Sequence, residues 1–154
     1  MGTGADGLDR GATSAKTAAD PPEIIQENEW VTLWYHADVK VVHHKFHKAL
    51  RGDALRSALL HGTAVLLQQR AKKWLSDDRL FFILPQKDQE WLQTEWFPQT
   101  LKAGWKYWAI VKPEKAVASL YMRRLAAHQS AAGVSTELFT TPEAGMEWLM
   151  TRPR

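Results

Sequence analysis

From residue 23 onward, apolar and polar positions follow first a period of two and then that period alternating with one of about 3.6. The segments EIIQE (23–27), WVTLWYH (30–36) and KVVHHKFHK (40–48) are rich in β-branched and aromatic residues, and Asn28-Glu29 and Ala37-Asp38 break them apart. This punctuation predicts three strands joined as two successive hairpins and paired antiparallel. Gly52-Asp53 then reads as a stop followed by a helix N-cap, with Leu55, Leu59, Leu60, Leu66 and Leu67 recurring at helical intervals to about Arg70. Beyond it come a strand at 72–76, a helix at 86–103 opened by Pro85 and closed by Gly104, and a strand WKYWAIV at 105–111. A helix from about 114 to 131 closed by Gly133, a strand VSTELF at 134–139 and a helix from Pro142 to Met150 complete the pattern. Strand-then-helix alternation requires crossovers between parallel strands. The fold class is therefore α/β, a mixed sheet in which N-terminal antiparallel strands are followed by βα units with helices packed on the sheet. WKYWAIV lacks polar alternation, as does a strand covered on both faces.

Composition narrows the picture. The chain has 154 residues, 45% of them hydrophobic, and eight tryptophans, which suits one packed domain over 23–154. Residues 1–22 are small and polar and have neither the apolar stretch of a signal peptide nor any period, so they read as a disordered tail. With no cysteine, disulfides, thiolate catalysis and cysteine-bound zinc are excluded; a reducing, cytoplasmic setting is the expectation. No apolar run reaches the roughly 18 residues of a membrane span, so a soluble protein is expected. The formal charge is +3, but its basic residues are scattered in pairs such as Lys72-Lys73 and Arg123-Arg124 among seventeen acidic ones. That is a solvated surface, and no nucleic-acid partner is expected.

Three stretches carry a family resemblance: KKWLSDDR (72–79), LPQKDQEWLQTEWFPQTLKAGWKYWAIVKPE (84–114) and VSTELFTTPEAGMEWL (134–149). They resemble the small bacterial SpoIIAA-like proteins of the STAS / CRAL-TRIO superfamily, over roughly residues 23–150. The resemblance implies a βα sheet fold and, because fold does not decide function, much less about activity. In STAS-type anti-sigma-factor antagonists a strand ends in Asp, and the next helix opens with the phosphoacceptor serine. Asp77 or Asp78 matches the strand-end Asp, whereas the helix start Leu84-Pro85-Gln86-Lys87-Asp88 has no serine or threonine. A phosphorylation switch of that type is not expected. The CRAL-TRIO branch holds lipids in an apolar cavity.

Among the residues themselves, Ser76-Asp77-Asp78-Arg79 stands at the carboxyl end of a central strand, where ligands of open α/β sheets bind. Consecutive strand residues point in different directions, so the two carboxylates do not form an acid–base pair, and no nucleophile–base pair is visible. One reading has one Asp capping the turn and the other pairing with Arg79 at the surface. The other leaves outward oxygens free, making Ser76, Asp77, Asp78 and Arg79 a contact surface for a basic partner or ligand. His43 and His47 fall on one strand face and His44 on the other, with His36 nearby. Without a cysteine or well-placed carboxylate this is a polar strand face, and neither metal nor cofactor is expected. Most tryptophans suit a core, but eight exceed what the core needs, so Trp91 and Trp96 on the second long helix are candidate anchors for a partner, a second copy or an apolar ligand. The expected function is a non-catalytic cytoplasmic binding or regulatory module. The alternative is a carrier of a small apolar ligand or lipid in a Trp/Leu-lined pocket.

Overall fold

The computed structural model describes residues 21–154; all of the tail expected over 1–22 except Pro21 and Pro22 lies outside the described residues. Six strands form one sheet in chain order: β1 (Glu23–Glu27), β2 (Val31–His36), β3 (Val41–Phe46), β4 (Lys73–Asp77), β5 (Tyr107–Val111) and β6 (Ser135–Phe139). β1–β2 and β2–β3 pair antiparallel, and β3–β4, β4–β5 and β5–β6 pair parallel, as the periods require. The hairpin turn before β3 places Lys40 at φ +56°, so β3 starts one residue later than its apolar pattern.

The helices are α1 (Gly52–Gln68), α2 (Gln86–Trp91), α3 (Phe97–Lys102), α4 (Ala116–Ala131) and α5 (Pro142–Met150). Because each parallel strand is laid beside the one before it, crossovers of one hand put α1 to α4 on the same face. There they cover Leu33, Val42, Trp74, Trp108 and Ile110 in the larger core. α5 covers the other face at β4–β6, burying Leu75, Ala109, Val111 and Leu149. β4 and most of β5 are buried accordingly. Among the described residues no helix is long and apolar enough to cross a membrane.

Two further details differ from the sequence pattern. The expected helix over 86–103 is split by a π-helical turn, Leu92–Trp96, between α2 and α3. Pro98 gives the reason: a proline ring in a helix collides with the carbonyl four residues back, here that of Thr94, and a wider turn removes the collision. Asp53 is not the N-cap of α1. Arg51 occupies that position without a side-chain cap, and Gly52 turns into the helix at φ +62°. The cap comes from elsewhere: Asp88 on α2 accepts from the Gly52 N–H through Oδ2 (2.9 Å) and from Arg56 Nη2 through Oδ1 (3.2 Å). A carboxylate near a helix N-terminus is favourable, and Asp88 is accordingly buried.

Candidate functional site at the carboxyl end of the sheet

Along β4 the pleat turns Trp74, Ser76 and, just past the strand, Asp78 toward α1–α4, while Leu75 and Asp77 face the α5 side. The two consecutive carboxylates therefore lie in separate surroundings. Asp78 Oδ1 is 2.8 Å from His44 Nε2, and both side chains are about 4% exposed. The other nitrogen, His44 Nδ1, accepts the indole N–H of Trp74 at 3.0 Å. An indole nitrogen only donates, so Nδ1 carries no proton; His44 is the neutral Nε2–H tautomer and donates to Asp78. The pair is thus not an imidazolium–carboxylate salt bridge. Burial pushes the Asp78 carboxyl up from its ordinary value, with the bond from His44 working against it. Ser76 Oγ accepts from Trp108 Nε1 at 2.8 Å.

His44, Ser76 and Asp78 share one wall of a cavity of about 30 Å³; its other walls include Leu55, Leu92, Trp96 and Met122. Every lining side chain is buried. Because a water needs about 10–15 Å³ measured in this way, the space holds about two or three. The alternative of a ligand carrier calls for a Trp/Leu-lined pocket; this cavity has Trp and Leu in its walls but only the size of a hydration site. Neither His44 nitrogen is free to activate Ser76, whose oxygen is already engaged. No nucleophile–base pair is assembled here.

Asp77 is clamped by Arg79, whose Nε donates to Oδ1 (2.9 Å) and Nη2 to Oδ2 (2.7 Å). Burial works to raise this carboxyl, but the Arg79 bonds and charge outweigh it and hold Asp77 below its ordinary value. The free outward oxygens expected of Asp77 and Asp78 are absent: the residues are 2% and 3% exposed, and each turns to a partner within the chain. Asp77 pairs with Arg79, but below the surface rather than on it, and neither Asp side chain caps the turn by any bond beyond a long 3.5 Å contact from the Arg79 N–H.

What reaches the surface is the following loop, Arg79 to Pro85. Phe81 and Leu84 turn inward onto the cavity, while Leu80, Phe82 and Ile83 are 45%, 42% and 39% exposed. The Phe81 N–H donates to the Asp78 carbonyl (2.9 Å), and the Glu114 N–H donates to the Arg79 carbonyl (3.0 Å). Phe81 stacks on Phe46 and Tyr121. This tip was not singled out by period, because LFFILP has none; its signal was six consecutive apolar residues between a strand end and a helix start.

The tryptophan and histidine candidates disperse. Trp96 is buried, its indole N–H shared between the Leu59 carbonyl and Thr63 Oγ1, so it anchors core and not partner. Trp91 is half-buried beneath the Arg56 guanidinium. His36 Nε2 and His43 Nδ1 lie 3.0 Å apart on the face opposite His44, and His47 bonds Thr32. Burial, with His36 nearby, lowers His43 to about 3, and its Nε2 is buried without a partner among the described residues. Among the described residues no three His, Cys, Asp or Glu side chains converge as a metal site. No protein-family model, curated protein or solved structure matches this chain in comparison.

Proposed function

We propose that the chain is a non-catalytic cytoplasmic binding or regulatory module, allied to SpoIIAA-like STAS domains but without their phosphoacceptor serine, that docks a protein partner on the loop Arg79–Pro85. The observation that carries this reading is the exposure of Leu80, Phe82 and Ile83 on a loop pinned by Phe81 and Leu84. A pinned apolar tip loses little conformational entropy on docking. The strand-end residues then act one step removed: Asp77–Arg79 and His44–Asp78 hold the base of the loop. The lipid-carrier alternative is disfavoured, since a cavity of about 30 Å³ falls far below the roughly 300 Å³ where ligand pockets begin.

The experiment compares wild type with a Leu80→Ser, Phe82→Ser, Ile83→Ser variant, each used as bait in lysate of the native cell. Exposed positions of this kind cost little stability, so circular dichroism and Tm are expected to stay near wild type while retained partners drop out. An unchanged set of retained proteins on a folded variant would refute the loop as the docking surface.

A further inference from the structure

We propose that Asp78 is a buried latch for the loop: its neutral carboxyl holds the loop down, and its ionisation as pH rises frees the loop, so pH governs how Leu80, Phe82 and Ile83 are presented. This rests on the reading of the loop as contact surface and concerns its regulation.

The geometry points to the latch in three steps. First, a negative charge on Asp78 has no positive counterpart. His44, from β3, is held neutral by the Trp74 N–H. Arg79 is turned to Asp77 on the other side of the sheet, and Asp77 itself adds like charge. From β5 the cavity receives Trp108, and from α1, the π turn, α3 and α4 it receives apolar groups such as Leu55, Leu92, Phe97 and Met122, with no titratable group among them. An uncompensated buried carboxylate is costly, so the neutral form is favoured while Asp78 stays buried.

Second, the ionised form needs a fuller hydration shell than the cavity has room for. His44 takes Oδ1, and Oδ2 has no partner among the described residues. With room for about two or three waters, full hydration of a carboxylate requires a wall to move. Third, one wall lies outside the regular elements. The lining side chains lie on strands and helices except for Asp78, just past β4, and Phe81 and Leu84, which belong to the loop. Phe81 is also tied to the Asp78 carbonyl through its N–H. Hydrating the carboxylate therefore lifts the two residues that pin the tip.

The sign follows from linkage. Burial raises Asp78 in the folded chain above its ordinary 3.8, so its contribution to closure is complete below that value and is lost as pH rises through the folded value. The wild-type protein supplies the primary test. Carbon-13 NMR of the Asp78 side-chain carboxyl is expected to titrate above the ordinary carboxylate range. Chymotrypsin cleavage at Phe81 and Phe82, normalised to an unstructured peptide at each pH, is expected to rise at least about fivefold as pH climbs through the value at which the carbon-13 signal shows Asp78 ionising, because cleavage tracks the open population. Asp78→Asn keeps the shape and the acceptor for His44, and is expected to abolish this rise. A carboxyl that ionises in the ordinary range, or wild-type cleavage flat with pH, would overturn the latch while leaving the docking reading standing. The Leu80/Phe82/Ile83 variant above tests that reading separately.

Discussion

Gly62 lies in the middle of α1, where alanine in place of glycine ordinarily stabilises a helix by about 1 kcal/mol. Here the opposite sign is expected. A Cβ at Gly62 would stand 2.4 Å from Cη2 and 2.7 Å from Cζ2 of Trp74, well inside the carbon–carbon optimum of about 3.5–4.0 Å. The indole cannot retreat. Trp74 has no exposed surface, it meets Trp96 and Trp105 edge-on at 5.3 and 6.4 Å, and its N–H is committed to His44. Overpacking of this kind costs about 1–3 kcal/mol, and straining the Trp74–His44 bond adds about 1. Subtracting the propensity gain leaves Gly62→Ala destabilised by about 1–3 kcal/mol. At the scaling for a chain of this size, a central value of about 2 kcal/mol lowers Tm by about 4–8 °C. Thermal and urea unfolding followed by circular dichroism measure the change, and an altered near-ultraviolet signal is expected from the displaced indole. A variant with Tm equal to or above wild type would refute the packing of α1 on β4 described above.

Asp88→Ala removes the carboxylate that α2 lends to the start of α1 and is expected to cost about 1–2 kcal/mol in urea unfolding, with Asp88→Asn milder because one acceptor remains. A cost no larger than that of an exposed substitution would sink the idea of a cap supplied from α2. Asp77→Asn breaks the clamp on Arg79. Since Asp77 is held below its ordinary 3.8, the stability it confers is present above that value and lost as pH falls through the folded value. The variant is expected to be weaker by about 1 kcal/mol at neutral pH, discounted because Arg79 is partly exposed, with the difference fading in acid. His43, lowered from 6.5 to about 3, is expected to show no imidazole titration by NMR above about pH 4. Its share of stability then falls with decreasing pH between those values, by at most about 1.4 kcal/mol per pH unit; a midpoint near 6.5 would contradict the burial of its ring.

The order of strands and helices was legible because it rests on local geometry. A strand repeats its faces every two residues and a helix about every 3.6, so EIIQE, VTLWYH and the leucines of α1 declare their elements one segment at a time. For the same reason the divergence of Asp77 from Asp78 was readable from their adjacency. What each then meets was not. His44 and Asp78 are 34 positions apart and Gly52 and Asp88 are 36 apart, and these partners are chosen by the register of β3 on β4 and by where α2 lands on α1. The π turn at Leu92–Trp96 is likewise a compromise between Pro98 and the demand that Trp96 and Phe97 both face the core. The loop Arg79–Pro85 is the clearest case. Its apolar run is plain in the sequence, but a segment without period carries no sign of which residues turn inward. Only the cavity beneath, with space for Phe81 and Leu84 and none for Leu80, Phe82 and Ile83, decided which side chains pin the loop and which are left in water.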